Sequence, residues 1–224
     1  MEERNVVKFK KEEFAIREYI KKELGKGKIS RVRIEYTPIG EKIIISTHKP
    51  GLVIGRKGER IEELTDALKK KFKLENLGIE IDEIKKPEFD ARINADEIAL
   101  ELERFGPLKF KVISYRRLQK IMNAGALRAE IRVSGKLPGA RAKTWRFAQG
   151  YLKKTGDSAK VVDRAQARAE TKPGTVGVKV SILSPSAKLK DKIKIDEELI
   201  KKLKENVIEL SEEKEKKIRN TKKK

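Results

Sequence analysis

Residues 49–73 read KPGLVIGRKGERIEELTDALKKKFK, and the predicted fold of the first half of the chain follows from them. Gly55 and Gly58 lie three positions apart and enclose Arg56 and Lys57. An apolar, strand-like run precedes them at 42–48. From Gly58 onward, apolar residues recur at helical spacing: Ile61, Leu64, Leu68 and Phe72. The pattern predicts a glycine-bounded loop with two cations, followed at once by an amphipathic helix.

Such a loop suits a phosphodiester backbone. Neither Gly55 nor Gly58 carries a Cβ, so another backbone can approach closely. The helix that follows presents free N–H groups and the positive end of its dipole, and Arg56 and Lys57 add positive charge. A nucleotide-binding Walker loop is excluded, because it needs four residues between its glycines and then Lys-Ser or Lys-Thr. An ordinary connection between two helices remains the alternative.

The flanking segments give the loop a specific context. The periodicity predicts a helix over 5–24, strands over 31–36 and 42–48, and a third strand over 79–84 after Gly78. The order αββααβ resembles the type II KH module, which clamps about four nucleotides of single strand. We therefore predict an N-terminal helix and type II KH domain over 1–106, ending in a helix over 95–105. The residues predicted to bind RNA in its loop are Gly55, Arg56, Lys57 and Gly58.

Positive charge is concentrated in the middle of the chain. The 224 residues carry a formal net charge of +21, and 41% of them are charged. Residues 109–154 contain 13 Lys and Arg side chains and a single acid, Glu130, a net charge of +12. A segment of this kind that also carries helix and strand patterns is better explained as a binding surface for a polyanion than as a solvated face.

The second half predicts another small folded unit. Residues 108–123 have helical periodicity, and alternation predicts strands near 127–135, 161–171 and 176–183, with a helix near 140–150. The predicted fold class is α+β: the KH domain, a second mixed α/β domain over 107–187, and a charged, helical or disordered tail over 188–224. Core packing is favoured over base stacking for three aromatic residues, Trp145, Phe147 and Tyr151.

Four separated strings, in order, resemble the small-subunit ribosomal protein three family in its archaeal and eukaryotic branch. They are VIGRKGERIEELT in the KH core, YRRLQK at 115–120, RVSGKLPGARAK with WRFAQGYLKKTG at 132–156, and TKPGTVGVKVSI at 171–182. The resemblance implies a structural constituent of the small-subunit head that binds ribosomal RNA and lines the messenger RNA entry channel. Its expected partners are ribosomal RNA, messenger RNA and neighbouring head proteins, and its expected location is the cytoplasmic ribosome.

The resemblance also implies roles for particular residues. The basic helix at the messenger entry corresponds to Arg116, Arg117 and Lys120. The expected contacts to ribosomal RNA form a second basic set: Arg132, Lys136, Arg141, Lys143, Arg146, Lys153 and Lys154. The KH loop is competent for RNA by its chemistry, while its partner in a ribosome stays open.

Two other functions compete with this interpretation. A free-standing regulatory KH protein explains the glycine loop but not the basic segment. An enzyme, such as a DNA-nicking lyase, lacks support, because the chain has no cysteine and a single histidine, His48, which we expect at a strand end without ligand partners. We therefore expect no catalytic site, metal or cofactor. No apolar run approaches the ~20 residues of a membrane span, so no transmembrane helix is expected. A membrane surface is not the expected partner either, because it would not explain the KH core.

Overall fold

The computed structural model describes residues 2–37, 40–72, 74, 76–150, 152, 154–187 and 189. The tail predicted over 188–224 therefore lies outside the described residues, apart from Leu189. Residues 1–188 cluster as one compact unit. It contains two β-sheets, each with its own apolar core.

The first sheet forms the predicted αββααβ unit. Its elements are α1 (Glu2–Leu24), β1 (Arg31–Thr37), β2 (Gly40–Thr47), α2 (Pro50–Ile54), α3 (Glu59–Phe72) and β3 (Leu77–Glu83). The central strand β2 pairs antiparallel with β1 and parallel with β3. Ile43 and Ile45 of β2 are fully buried, and Leu64 and Leu68 of α3 belong to the same core. The predicted type II KH arrangement is confirmed.

The second sheet has four antiparallel strands, in the order β5-β4-β7-β6. Its strands are β4 (Arg128–Gly135), β5 (Lys143–Gln149), β6 (Asp163–Thr171) and β7 (Gly174–Leu183), and two helices precede them, α4 (Ala91–Phe105) and α5 (Phe110–Asn123). The helix predicted near 140–150 is wrong: this segment is β5, an edge strand paired with β4 along its whole length. The α+β fold class is confirmed.

Helices α4 and α5 pack on the same side of the second sheet, and we call these helices and this sheet the second unit. Alternate residues of β4 and β7, including Ile131 and Val180, face that side and are fully buried. Alanines on α4 and β6, such as Ala95 and Ala169, let the helix lie close to the sheet. Phe110 begins α5 and fills the centre of this core. The predicted domain boundary at 106–107 falls between two helices that share one core, and the division itself stays a prediction.

Polar contacts join the two sheets. Asp90 caps α4 by accepting hydrogen bonds from the backbone N–H groups of Arg92 and Ile93, and its other carboxylate oxygen accepts one from Ser30 Oγ. Asp163 at the start of β6 accepts hydrogen bonds from the backbone N–H of Ala91, at 2.9 Å, and from Arg31, at 3.0 Å. These contacts fix α4 at the junction of the sheets, and α4 in turn positions α5.

Candidate nucleic-acid interface

The glycine loop has the backbone that its sequence predicts. Helix α2 ends at Ile54, and a single 3₁₀ turn over Arg56–Gly58 leads directly into α3. Gly55, Lys57 and Gly58 have φ values of 78°, 53° and 87°. Arg56 and Lys57 are exposed. The loop therefore presents two cations to solvent at the N-terminus of an amphipathic helix.

The two glycines differ in what surrounds them. A Cβ added to Gly55 would lie 2.7 Å from Arg60 Cβ and 3.2 Å from the Arg60 backbone nitrogen. A Cβ added to Gly58 would have no heavy atom within 4 Å. Gly55 is therefore required for packing within the loop. Gly58 faces open space, where a ligand backbone can approach.

This difference gives a first testable prediction. Gly55→Ala should destabilise the first unit by about 2–3 kcal/mol, because a positive φ costs an L-residue about 1–2 kcal/mol and the new Cβ also clashes. Gly58→Ala should cost only the conformational part, about 1 kcal/mol. Amide hydrogen exchange in β1–β3 would measure both losses. Equal losses would show that the contact with Arg60 is unimportant.

Acidic residues reduce the positive charge of the surface around the glycine loop. The groove beside the loop, between α1 and α3, is lined by Arg56 and Arg60 but also by Glu23, Glu59 and Glu63. Carboxylates next to the cations reduce the attraction for phosphate. The strongest positive field must therefore come from another part of the chain.

Helix α5 separates the three cations predicted at the messenger entry. Arg116 and Lys120 are exposed and lie one turn apart. The Arg117 side chain is only 13% exposed and points toward α4, where it donates hydrogen bonds to Glu97 and, at 2.8 Å, to Glu101. The structure thus brings Arg116 and Lys120 together at the surface and assigns Arg117 to an ion-pair network between helices.

The outer face of the second sheet gathers part of the predicted ribosomal RNA set. Arg132 on β4 and Arg146 on β5 are direct cross-strand partners, and Lys154 lies beside them. Three other predicted residues are exposed in or next to the β4–β5 connection: Lys136, Arg141 and Lys143. Lys153 and Tyr151 lie outside the described residues.

Strands β6 and β7 add cations to this face that the sequence analysis did not select. Lys179 of β7 pairs directly with Arg132, so three cations from β5, β4 and β7 form one cross-strand row: Arg146, Arg132 and Lys179. Arg164 lines the same shallow cleft as Arg132 and Lys179. The sequence contains a sign of this, since Arg164, Gln166 and Arg168 alternate along β6. Only the pairing of β6 with β7 shows that these side chains belong to this face. We call this surface, with Lys154, the basic sheet face.

One carboxylate lies beneath the cations. Glu130 is 3% exposed and accepts hydrogen bonds from Arg132, at 2.5 Å, and from Arg146, at 3.1 Å, while Lys154 Nζ lies 3.3 Å away. Burial by itself would raise the pKa of Glu130. Its hydrogen bonds with Arg146, Arg132 and Lys154 outweigh burial and hold that pKa below its usual range. Glu130 therefore stays ionised and orders three cations.

The structure shows where the predicted aromatic residues and His48 lie. Phe147 is buried against Phe110, as predicted, whereas Trp145 is 38% exposed. His48 follows β2 directly, and its Nε2 lies 3.8 Å from Glu97 Oε1. Burial lowers the pKa of His48. Among the described residues, no group of three or more His, Cys, Asp or Glu side chains could hold a metal ion.

Comparison with known proteins gives matches in both halves of the chain. The KH domain family matches residues 15–89, and the family described as ribosomal protein S3, C-terminal domain, matches residues 98–182. Among the helices that the structure describes, none has the length and apolar character needed to cross a bilayer.

Curated relatives from archaea match most of the chain. Small ribosomal subunit protein uS3 of Methanocaldococcus jannaschii is 44% identical over 88% of this chain and 95% of its own length. The proteins of the same name from Methanothermobacter thermautotrophicus and Methanosphaera stadtmanae are 39% and 36% identical, over 79% and 88% of this chain and 68% and 78% of their own lengths.

The predicted family is confirmed, since similarity extends over both the KH unit and the second unit. A free-standing KH regulator is not favoured, because such a protein would not need the second unit. The chain belongs to the small ribosomal subunit protein uS3 family and is a structural, non-enzymatic component of the small ribosomal subunit.

Proposed function

We propose that this protein binds ribosomal RNA through the basic sheet face and contacts messenger RNA through Arg116 and Lys120 of α5. In this proposal it occupies the head of the small subunit, packs on neighbouring head proteins, and lines the channel through which messenger enters. The exposed cations of the β4–β5 connection extend the contact to ribosomal RNA: Lys136, Arg141 and Lys143.

The main support for binding of ribosomal RNA is the cross-strand row of Arg146, Arg132 and Lys179. Like charges directly opposite one another on neighbouring strands destabilise a sheet. Adjacent strands are about 4.8 Å apart, so these three side chains share a small area. Glu130 offsets one charge of the cluster and leaves an excess. A phosphate backbone lying across the sheet would neutralise that excess, which explains why the chain tolerates the row.

The position of α5 supports the contact with messenger. Its exposed cations lie on a helix without a single acidic residue, FKVISYRRLQKIMN. The helix is held against α4 by Arg117, so Arg116 and Lys120 project from a rigid base. Cations on a rigid element can hold a mobile strand without moving themselves, and phosphate contacts of this kind carry no sequence preference. Messenger RNA of any sequence could therefore pass along them.

Salt dependence tests the basic sheet face. If the full chain neutralises ~5 phosphates of single-stranded RNA, a fourfold rise in salt should lower its affinity roughly a hundredfold. The double variant Arg132→Gln, Lys179→Gln should lose about two of those contacts, so its plot of log affinity against log salt should be shallower by roughly 1.4. Lys8→Gln with Lys11→Gln, two exposed lysines of α1, is the matched control. Equal slopes for both double variants would contradict the proposal.

The KH loop is tested separately. Arg56→Asp with Lys57→Asp reverses two exposed charges, and it should weaken single-strand binding at least tenfold, because each contact with phosphate becomes a repulsion. Amide exchange in β1–β3 should remain unchanged, since neither side chain is buried. Unchanged affinity would show that the loop does not clamp RNA, and its partner would then be sought among proteins.

A further inference from the structure

The solvent side of α5 presents an aromatic surface next to its cations. Tyr115 is 56% exposed and Trp145, on β5, is 38% exposed. The buried ring of Phe147 lies between α5 and β5, with its centroid 4.9 Å from that of Tyr115. We call the three residues the aromatic floor. Tyr and Trp are enriched at binding interfaces, where one part of the ring is apolar and the polar end stays wet.

The floor is rigid. The Tyr115 and Phe147 ring planes meet at 75°, an edge contact that fixes the orientation of Tyr115 while leaving more than half of this residue exposed. Phe110 supports the other side, with ring centroids 5.5 Å from Trp145 and 6.2 Å from Phe147. The ammonium of Lys111 lies 4.7 Å from the centroid of the Trp145 ring. One face of Trp145 is therefore covered by a cation, and Tyr115 is the more open ring.

The charges around the aromatic floor indicate which class of partner can bind there. Neither α5 nor β5 contains an acidic residue, and the one acid in 109–154, Glu130, is buried on the basic sheet face. Lys111 lies one turn before Tyr115 on the same side of the helix, and Arg116 is the next residue along it. A basic protein neighbour would be repelled here. A strand of RNA supplies both negative charge for the cations and flat apolar bases for the ring.

We propose that Tyr115 stacks against an unpaired base of single-stranded RNA whose phosphates contact Arg116 and Lys120. This inference rests on the proposed contact of α5 with messenger and adds a base-stacking step to it. Arg116 lies about 100° around the helix from Tyr115. Both residues are exposed, so the long Arg116 side chain can reach the phosphate of a nucleotide stacked on Tyr115. Stacking requires an unpaired base, so this position distinguishes a single strand from a duplex, which phosphate contacts alone do not.

The chain contains one tryptophan, so fluorescence from Trp145 reports on this position. The probes are a single-stranded oligoadenylate and a blunt RNA duplex of equal length, each titrated into the full chain. We expect the single strand to quench Trp145. Tyr115→Leu should weaken that binding about tenfold, since one stacked base contributes ~1–3 kcal/mol. Tyr115→Phe keeps the ring and should stay within about twofold of the unsubstituted chain. Affinity for the duplex should be equal in all three proteins.

The outcomes separate the inference from the proposed function. Tyr115→Leu should lower the affinity equally at every salt concentration, whereas Arg116→Gln with Lys120→Gln should flatten the salt slope. If the arginine and lysine changes weaken binding but Tyr115→Leu does not, stacking is overturned and the phosphate contact stands. If neither change has an effect, both are overturned. If Tyr115→Phe weakens binding as much as Tyr115→Leu, the ring does not act by stacking.

Discussion

Replacing Glu130 by glutamine should make the protein less stable and at the same time increase its affinity for RNA. The carboxylate is 3% exposed and is the shared partner of Arg132, Arg146 and Lys154. Glutamine keeps the size of the side chain and removes its charge. The three cations, one on β4, one on β5 and one beyond the end of β5, then repel one another without an anion between them. Because each cation is about half exposed, water compensates part of the loss, and we expect a cost of about 1–2 kcal/mol.

The gain in affinity has the same cause. In the unsubstituted protein Glu130 holds three cations by hydrogen bonds, and RNA phosphates must compete with it. Without the carboxylate, the basic sheet face carries one more net positive charge. We expect an affinity for RNA roughly three to ten times higher at low salt, with the difference shrinking as salt screens the field. A lower affinity would mean that the order imposed by Glu130 matters more than the charge it removes.

The pH dependence of stability gives an independent check. The pKa of Glu130 in the folded protein lies below 4.5, the ordinary value of a glutamate in an unfolded chain. A depressed folded pKa stabilises the protein above the unfolded pKa, and this contribution is lost as pH falls through the folded value. The difference in stability between the unsubstituted chain and Glu130→Gln should therefore be constant from pH 7 to about 5 and shrink below about 4.5. Urea unfolding followed by Trp145 fluorescence would measure it.

The sequence predicted the KH unit well because its signals are local. The glycine spacing at 55–58 and the apolar stripe of α3 lie within one short stretch, and each strand around them alternates clearly. The αββααβ order then leaves few ways to pair three strands. The type II KH fold and the exposed loop could both be obtained in this way.

The errors in the second unit come from interactions distant in sequence. Segment 143–149 contains one buried side chain, Phe147, so its alternation is weak, and only its pairing with β4 makes it a strand. Lys179 looked like an isolated lysine of a buried strand until the register placed it opposite Arg132. Likewise, nothing near Arg117 in sequence separates it from Arg116. Its partners are on α4, 16 and 20 residues away.

Arg117→Met should cost about 2 kcal/mol of stability, whereas Arg116→Met should cost no more than about 0.5 kcal/mol. Arg117 is largely buried between Glu97 and Glu101, each of which has a side chain less than one-third exposed. Removing the guanidinium leaves two poorly solvated carboxylates facing an apolar side chain, close to the buried ring of His48. Arg116 is exposed, and no carboxylate in the part of the chain that the structure describes forms an ion pair with it.

The two variants should have opposite effects on RNA binding. Arg116→Met should lower the affinity for single-stranded RNA several-fold, because a phosphate contact is lost. Arg117→Met, measured where the protein remains folded, should change that affinity less than twofold. Equal losses of affinity would show that Arg117 reaches RNA by leaving α4. Equal losses of stability would show that the ion pairs between α4 and α5 contribute nothing.

Neutralising Glu97 and Glu101 should restore part of the stability that Arg117→Met loses. Combining Arg117→Met with Glu97→Gln and Glu101→Gln replaces both carboxylates by neutral amides of the same size. Much of the cost of breaking a buried ion pair comes from the charge left behind, so the triple variant should regain about half of the lost stability. Glu62→Gln with Glu63→Gln, two exposed acids of α3, is the control pair in the Arg117→Met background and should restore nothing. Recovery specific to α4 would identify Arg117 as the residue that holds α5 in place, and so as the reason Arg116 and Lys120 face solvent.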